Sequence, residues 1–87
     1  MACYRIEWRP STKKDLKRVS MSEIPRIIKA VEALSDTPRP SGSTKLSGSD
    51  STYRIRIGSY RVIYEIYDDT LLIEVVKVGH RKDVYKK

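Results

Sequence analysis

The sequence predicts an α+β fold: a small, mostly antiparallel sheet with two helices from the N-terminal half packed on one face, in the order β-α-α-β-β-β. Three patterns carry this. Residues 4–9 alternate apolar and charged side chains with period two. Residues 24–34 repeat apolar side chains at helical spacing. Residues 53–75 alternate again, interrupted by two turn-forming pairs. The 87 residues make one domain, 1–87, with a core small enough that a covering partner matters for stability and solubility.

Taken in order, Tyr4, Ile6 and Trp8 alternate with Arg5, Glu7 and Arg9 as a half-buried strand, ended by Pro10 and Ser11. Ser11 or Thr12 caps a short helix carrying Leu16 and Val19. Ser20 and Glu23 have capping-box spacing, and Pro25 falls in the first turn that follows. Ile24, Ile27, Ile28, Val31 and Leu34 form the apolar stripe of a second helix running to about Leu34 or Ser35. Residues 36–44, rich in Pro, Ser and Gly, read as a loop. Tyr53, Ile55 and Ile57, then Tyr60, Val62, Tyr64 and Ile66, form a hairpin about Gly58-Ser59. Asp68-Asp69 turns into a last strand with Leu71, Ile73 and Val75, fading near Gly79 into a polar tail.

Composition narrows the function. The net charge is +7, from 18 Lys and Arg against 11 Asp and Glu, which suits a polyanionic partner. No apolar run approaches the ~18 residues that span a membrane, and Met1-Ala2-Cys3-Tyr4-Arg5 lacks the apolar stretch of an export signal, so a cytoplasmic location and no membrane partner are expected. Cys3 is the sole cysteine and reads as a small strand residue; it allows neither an internal disulfide nor a cysteine-cluster metal site. No metal or other cofactor is expected.

Register turns the strand reading into a site. With a two-residue turn at Gly58-Ser59, Ile57 pairs with Tyr60, Arg56 with Arg61, and Ile55 with Val62. Directly opposed residues share a face. The apolar face then goes to the helices, and Arg54, Arg56 and Arg61 project from the other. Opposed like charges are destabilising, and Glu65 is too far along to pair with all three. A local cost of this kind points to function, although solvated strand faces also carry arginine for its long, packing stem. Arginine keeps its charge and offers planar donors matched to phosphate oxygens. Most tyrosines fall on the predicted core face; Tyr67 and Tyr85 are the exceptions. With Asp68-Asp69 as the turn, Val76 opposes Arg61, and the tail brings His80, Arg81 and Tyr85 toward the arginines. His80 is the one side chain here that titrates near neutrality without help.

The ordered pieces Lys45-Leu46-Ser47-Gly48, Tyr53-Arg54-Ile55-Arg56, Tyr60-Arg61-Val62-Ile63-Tyr64 and Val78-Gly79-His80-Arg81-Lys82-Asp83-Val84-Tyr85 resemble the RelE toxins of the RelE/ParE superfamily over nearly the whole chain. The resemblance implies a small sheet with helices on one face, and a toxin that enters the ribosomal decoding site and cleaves the exposed mRNA codon. Cleavage there proceeds by attack of the ribose 2′-hydroxyl on the adjacent phosphate, without a metal. It also implies a cognate antitoxin that wraps and blocks the toxin in a hetero-oligomer. Position by position, Arg61 and Arg81 match phosphate-stabilising arginines, both expected to be exposed, and Tyr85 matches a tyrosine that stacks on or orients the substrate base. Lys45, Arg54 and Arg56 are the expected substrate-binding residues. Arg54 and Arg56 stand where the best-known members have lysines, so a base supplied by lysine is missing at these positions. His80, and after it Tyr85, is the candidate to replace it. The rival reading is a ParE-like toxin, which binds a topoisomerase and is not expected to carry the tail's arginine and tyrosine. A catalytically degenerate, non-nuclease member of the same fold is the other.

Overall fold

The structure, a computed structural model, describes residues 3–80. Its elements are β1 (Arg5–Trp8), α1 (Ser11–Lys17), α2 (Ile24–Ala33), β2 (Thr44–Lys45), β3 (Thr52–Ile57), β4 (Tyr60–Tyr67) and β5 (Leu72–His80). The strands form one sheet in the order β1-β5-β4-β3-β2. Only β1 and β5 run parallel; the other ladders are antiparallel, which bears out the predicted class. Both helices lie in the connection between β1 and the hairpins. Ile27, Val31 and Leu34 of α2, with Val19 after α1, close over Ile55, Ile57, Val62, Tyr64, Ile66, Ile73, Val75 and Val78, while Ile24, Leu16 and Trp8 seal the margin. No helix among the described residues is long and apolar enough to cross a membrane.

Several local expectations are corrected. Neither helix has a side-chain cap. Pro10, at φ −52°, occupies the N-cap position of α1, so Ser11 and Thr12 lie inside the helix, and the Thr12 hydroxyl donates back to the Arg9 carbonyl at 2.5 Å. The capping box at Ser20 and Glu23 does not form because its parts are engaged elsewhere. The Ser20 N–H donates to the Tyr60 hydroxyl at 3.3 Å, and the Glu23 carboxylate accepts from Arg26 at 2.9 Å. Residues 21–23 are therefore a turn, and α2 starts at Ile24 with Pro25 in its first turn. Thr44 and Lys45, read as the end of a loop and its sequel, form a two-residue edge strand. Cys3 precedes β1 and is exposed.

The β3–β4 register is the predicted one, Ile57 opposite Tyr60 and Arg56 opposite Arg61, with Gly58 at φ +59° supplying the left-handed turn residue. The β4–β5 register is not. The turn has four residues, since Tyr67 pairs with Leu72, and Leu71 takes a positive φ of 52° to close it. A β-bulge then sets Ile63 against Lys77 but Tyr64 against Val75, leaving Val76 between them. The two effects move Gly79, not Val76, opposite Arg61.

A candidate phosphate-binding face on the open side of the sheet

The face turned away from the helices is built in lateral rows, because opposed residues on adjacent strands share a side. One row is Arg56, Arg61 and Gly79; the next is Thr44, Arg54, Ile63 and Lys77. Arg54, Arg56 and Arg61, with Gly42 and Thr44, line a cavity of about 310 Å³. Arg61 is 5% exposed, contrary to the expected exposure, while Arg56 is exposed. Burying a guanidinium is costly unless it is engaged, and both Arg54 and Arg61 do make polar or electrostatic interactions.

The row beyond carries the opposite charge: Thr52, Glu65, Glu74 and Glu7 stand side by side across four strands. These carboxylates are occupied locally. Glu65 accepts from Ser51 at 3.0 Å and from Thr52. Glu74 accepts from Arg9 at 3.1 and 3.4 Å, and Glu7 is paired with Arg5 at 3.1 Å. Along the described face the arginine rows thus lie toward one end and the glutamate row toward the other. Among the described residues no three His, Cys, Asp or Glu side chains come together to hold a metal ion.

The loop that supplies Gly42 is tied down from behind. Arg39 donates to Asp68 at 2.8 Å and to the Tyr53 hydroxyl at 3.1 Å, its guanidinium 5.3 Å from the Tyr53 ring centroid. Tyr4 donates to the same carboxylate at 2.6 Å. Arg39 first, and then Tyr4, holds the Asp68 carboxyl below its usual range, and Asp68 and Tyr53 raise Arg39. Inside, the Tyr64 hydroxyl donates to the Pro38 carbonyl at 2.8 Å, and burial pushes its pKa up to about 12.

The other predicted site residues within the described part, Lys45 and His80, lie apart from this cavity. Lys45 pairs with Tyr53 and so takes the helix-side register; Thr44 is the β2 residue on the arginine side. His80 opposes Tyr60, and its ring meets the Tyr60 ring edge-on at 5.7 Å and 81°. The bulge inverts the alternation of β5, so His80 has the register of the helix-covered face and is not brought together with Arg54, Arg56 and Arg61. Arg81 and Tyr85 lie outside the described residues. Gly42 and Thr44 were missed in the sequence because they sit in a Pro-, Ser- and Gly-rich stretch.

A family model described as the ParE toxin of the type II toxin–antitoxin system parDE matches residues 6–85, nearly the whole chain. The chain belongs to the RelE/ParE superfamily of type II toxins. A putative toxin RelE1 of Methanocaldococcus jannaschii is 33% identical over 86 residues, covering 95% of this chain and 96% of the relative. Toxin RelG of Mycobacterium tuberculosis is 28% identical over 97% of this chain and 98% of its own. Among solved structures, the RelE–RelB complex of Pyrococcus horikoshii superposes with a TM-score of 0.81 at 27% identity, covering 95% of this chain and 99% of the other. The RelBE2 complex of Mycobacterium tuberculosis gives 0.80 at 25%, covering 95% and 97%. This RelE-type toxin thus has its superfamily's α+β fold, and its arginine cavity is formed on the one sheet face the helices leave open.

Proposed function

We propose that this RelE-type toxin is an endoribonuclease that cuts mRNA on the ribosome and so stops translation. The observation that carries the reading is the cavity lined by Arg54, Arg56 and Arg61 on the sheet face the helices leave open. A base removes the 2′-hydroxyl proton, and the freed oxygen attacks the adjacent phosphorus. The bond from phosphorus to the 5′-oxygen breaks, and that oxygen takes up a proton. The products are a 2′,3′-cyclic phosphate and a 5′-hydroxyl. The arginines neutralise the charge that builds on the phosphoryl oxygens, the electrostatic term that is often largest, and the ribosome holds the mRNA bent. No metal is needed for this. Arg81 and Tyr85 complete the site by the V-G-H-R-x-x-x-Y motif. The position of His80 against Tyr60 favours Tyr85 over His80 for proton transfer.

The partner is a cognate antitoxin, as in the RelE–RelB pairs the fold resembles. An apolar groove of about 400 Å³ between α2 and β3, lined by Ala30, Ala33, Leu34, Ile55 and Ile57, adjoins the arginine cavity through Gly42 and Arg56. An amphipathic antitoxin segment seated there places its acidic side chains on the arginines. A cytoplasmic toxin acting on ribosomes is consistent with the basic surface.

Induced expression with primer extension on a translated mRNA tests this. Cuts within codons that depend on translation are expected. Growth arrest with intact mRNA would transfer the assignment to the ParE-like reading, that of a toxin which binds a topoisomerase.

A further inference from the structure

β1 pairs with β5 only as far as Trp8 and Val75, so among the described residues the end of β5 has no strand neighbour on that side. The end of α1 takes its place: the Asp15 carboxylate accepts the Val78 N–H at 3.0 Å. Between them lies a cavity of about 260 Å³ whose lining includes Asp15, Arg18, Tyr60, Lys77, Gly79 and His80. Arg18 and Lys77 are the basic residues among its described lining. Asp15, the one carboxylate among the described lining residues, is already engaged with a backbone donor, which reduces its opposition to an incoming anion. The aromatic wall is fixed, since Tyr60 accepts the Ser20 N–H at 3.3 Å and the His80 ring stands edge-on against it. Gly79 relates this cavity to the arginine face in the ladder: it lines the cavity and stands directly opposite Arg61. Glycine puts no side chain between the two sites.

We infer that this cavity is a second RNA-phosphate subsite, in which Arg18 and Lys77 hold a phosphate while the Tyr60–His80 pair offers a surface for the attached base. It rests on the nuclease reading and adds to it a contact outside the reacting phosphate. Convergent cations beside an aromatic wall, one glycine away from a phosphate-stabilising arginine, suit a nucleic-acid backbone better than an isolated small anion. The phosphate belongs either to the mRNA flanking the cut or to ribosomal RNA.

The test is cleavage of mRNA on programmed ribosomes by Arg18→Gln, Lys77→Gln and the double variant. Each single change should raise the half-saturating concentration of programmed ribosomes several-fold. Each should also flatten the dependence of log affinity on log salt by about one, with the rate at saturation retained. Arg18→Lys and Lys77→Arg, which keep the charge, should behave as wild type. If the effect vanishes on an mRNA truncated at the cut codon, the phosphate is the messenger's; if it persists, it is ribosomal. Wild-type half-saturation and salt slope in the double variant, with the wild type cutting normally, would overturn the subsite alone. So would failure of the charge-keeping variants to restore them. A wild type that cuts no mRNA would instead sink the nuclease reading.

Discussion

Arg56 and Arg61 stand directly opposite each other across the β3–β4 ladder, the first exposed and the second 5% exposed. Such a pair works against the fold, and on the proposed function it serves phosphate binding. Arg56→Gln should therefore raise stability by ~0.2–1 kcal/mol in urea denaturation while lowering single-turnover cleavage. Arg61→Ala should cut the rate by ~10²–10³ and, being buried, should also cost stability through lost packing. Arg61→Lys separates the two: its melting temperature should stay near wild type while cleavage still falls, because lysine cannot reproduce the planar fork. Unchanged cleavage in both Arg61 variants would remove the cavity from the mechanism.

The opposing register of His80 makes a second expectation specific. His80→Ala should leave the pH profile of single-turnover cleavage in place, whereas Tyr85→Phe, which keeps the ring and removes the hydroxyl, should change it. A profile altered by His80→Ala and untouched by Tyr85→Phe would return the acid–base role to His80.

Arginine cannot act as a base, so lysine at the neighbouring positions offers a gain-of-function experiment. Arg54→Lys and Arg56→Lys keep the positive charge and introduce an amine able to lose a proton. Single-turnover rates at alkaline pH should rise relative to wild type if proton removal limits cleavage. Equal pH profiles would place the limit in another step.

Tyr64 predicts an alkaline limit to stability. Its folded pKa, pushed up to about 12 by burial, lies above the ordinary value of 10.0. The phenol's contribution is complete below pH 10 and is lost as pH rises toward 12, because the unfolded chain releases the proton first. Tyr64→Phe should cost about 1 kcal/mol near neutrality, through the missing bond to the Pro38 carbonyl. That deficit should shrink across the alkaline window, as read by denaturation at a series of pH values. A constant deficit would mean that Tyr64 titrates normally.

Leu71 holds a left-handed backbone with φ of 52° and is 40% exposed. Leu71→Gly should relieve that conformation at little cost in packing, a gain of up to about 1 kcal/mol in chemical denaturation. A loss of stability would show that the Leu71 side chain holds the turn by packing.

These residues also show what a sequence reveals and what it hides. The β3–β4 register was legible because a two-residue turn with glycine first leaves one pairing, and that pairing alone gathers Arg54, Arg56 and Arg61. The core was legible from alternation. The β4–β5 register was not, because its four-residue turn uses leucine where glycine would have marked the left-handed position, and the bulge at Val76 has no local signature. A shift of one residue exchanges faces, so His80 went to the wrong side. The burial of Arg61 and the pairing of β1 with β5 arise from contacts distant in sequence.

The extra residue at Val76 works as a phase shift in the sheet's code of inside and outside. Upstream of it the odd-numbered positions of β5 belong to the core; downstream the even-numbered ones do. Loss of the Val76 codon would restore one phase throughout while leaving the partners in place, Val78 still opposite Val62 and His80 still opposite Tyr60. For toxins built on this sheet, positions past the bulge are therefore comparable between relatives by strand partner and not by residue count, because a relative without the extra residue carries the same faces one position earlier.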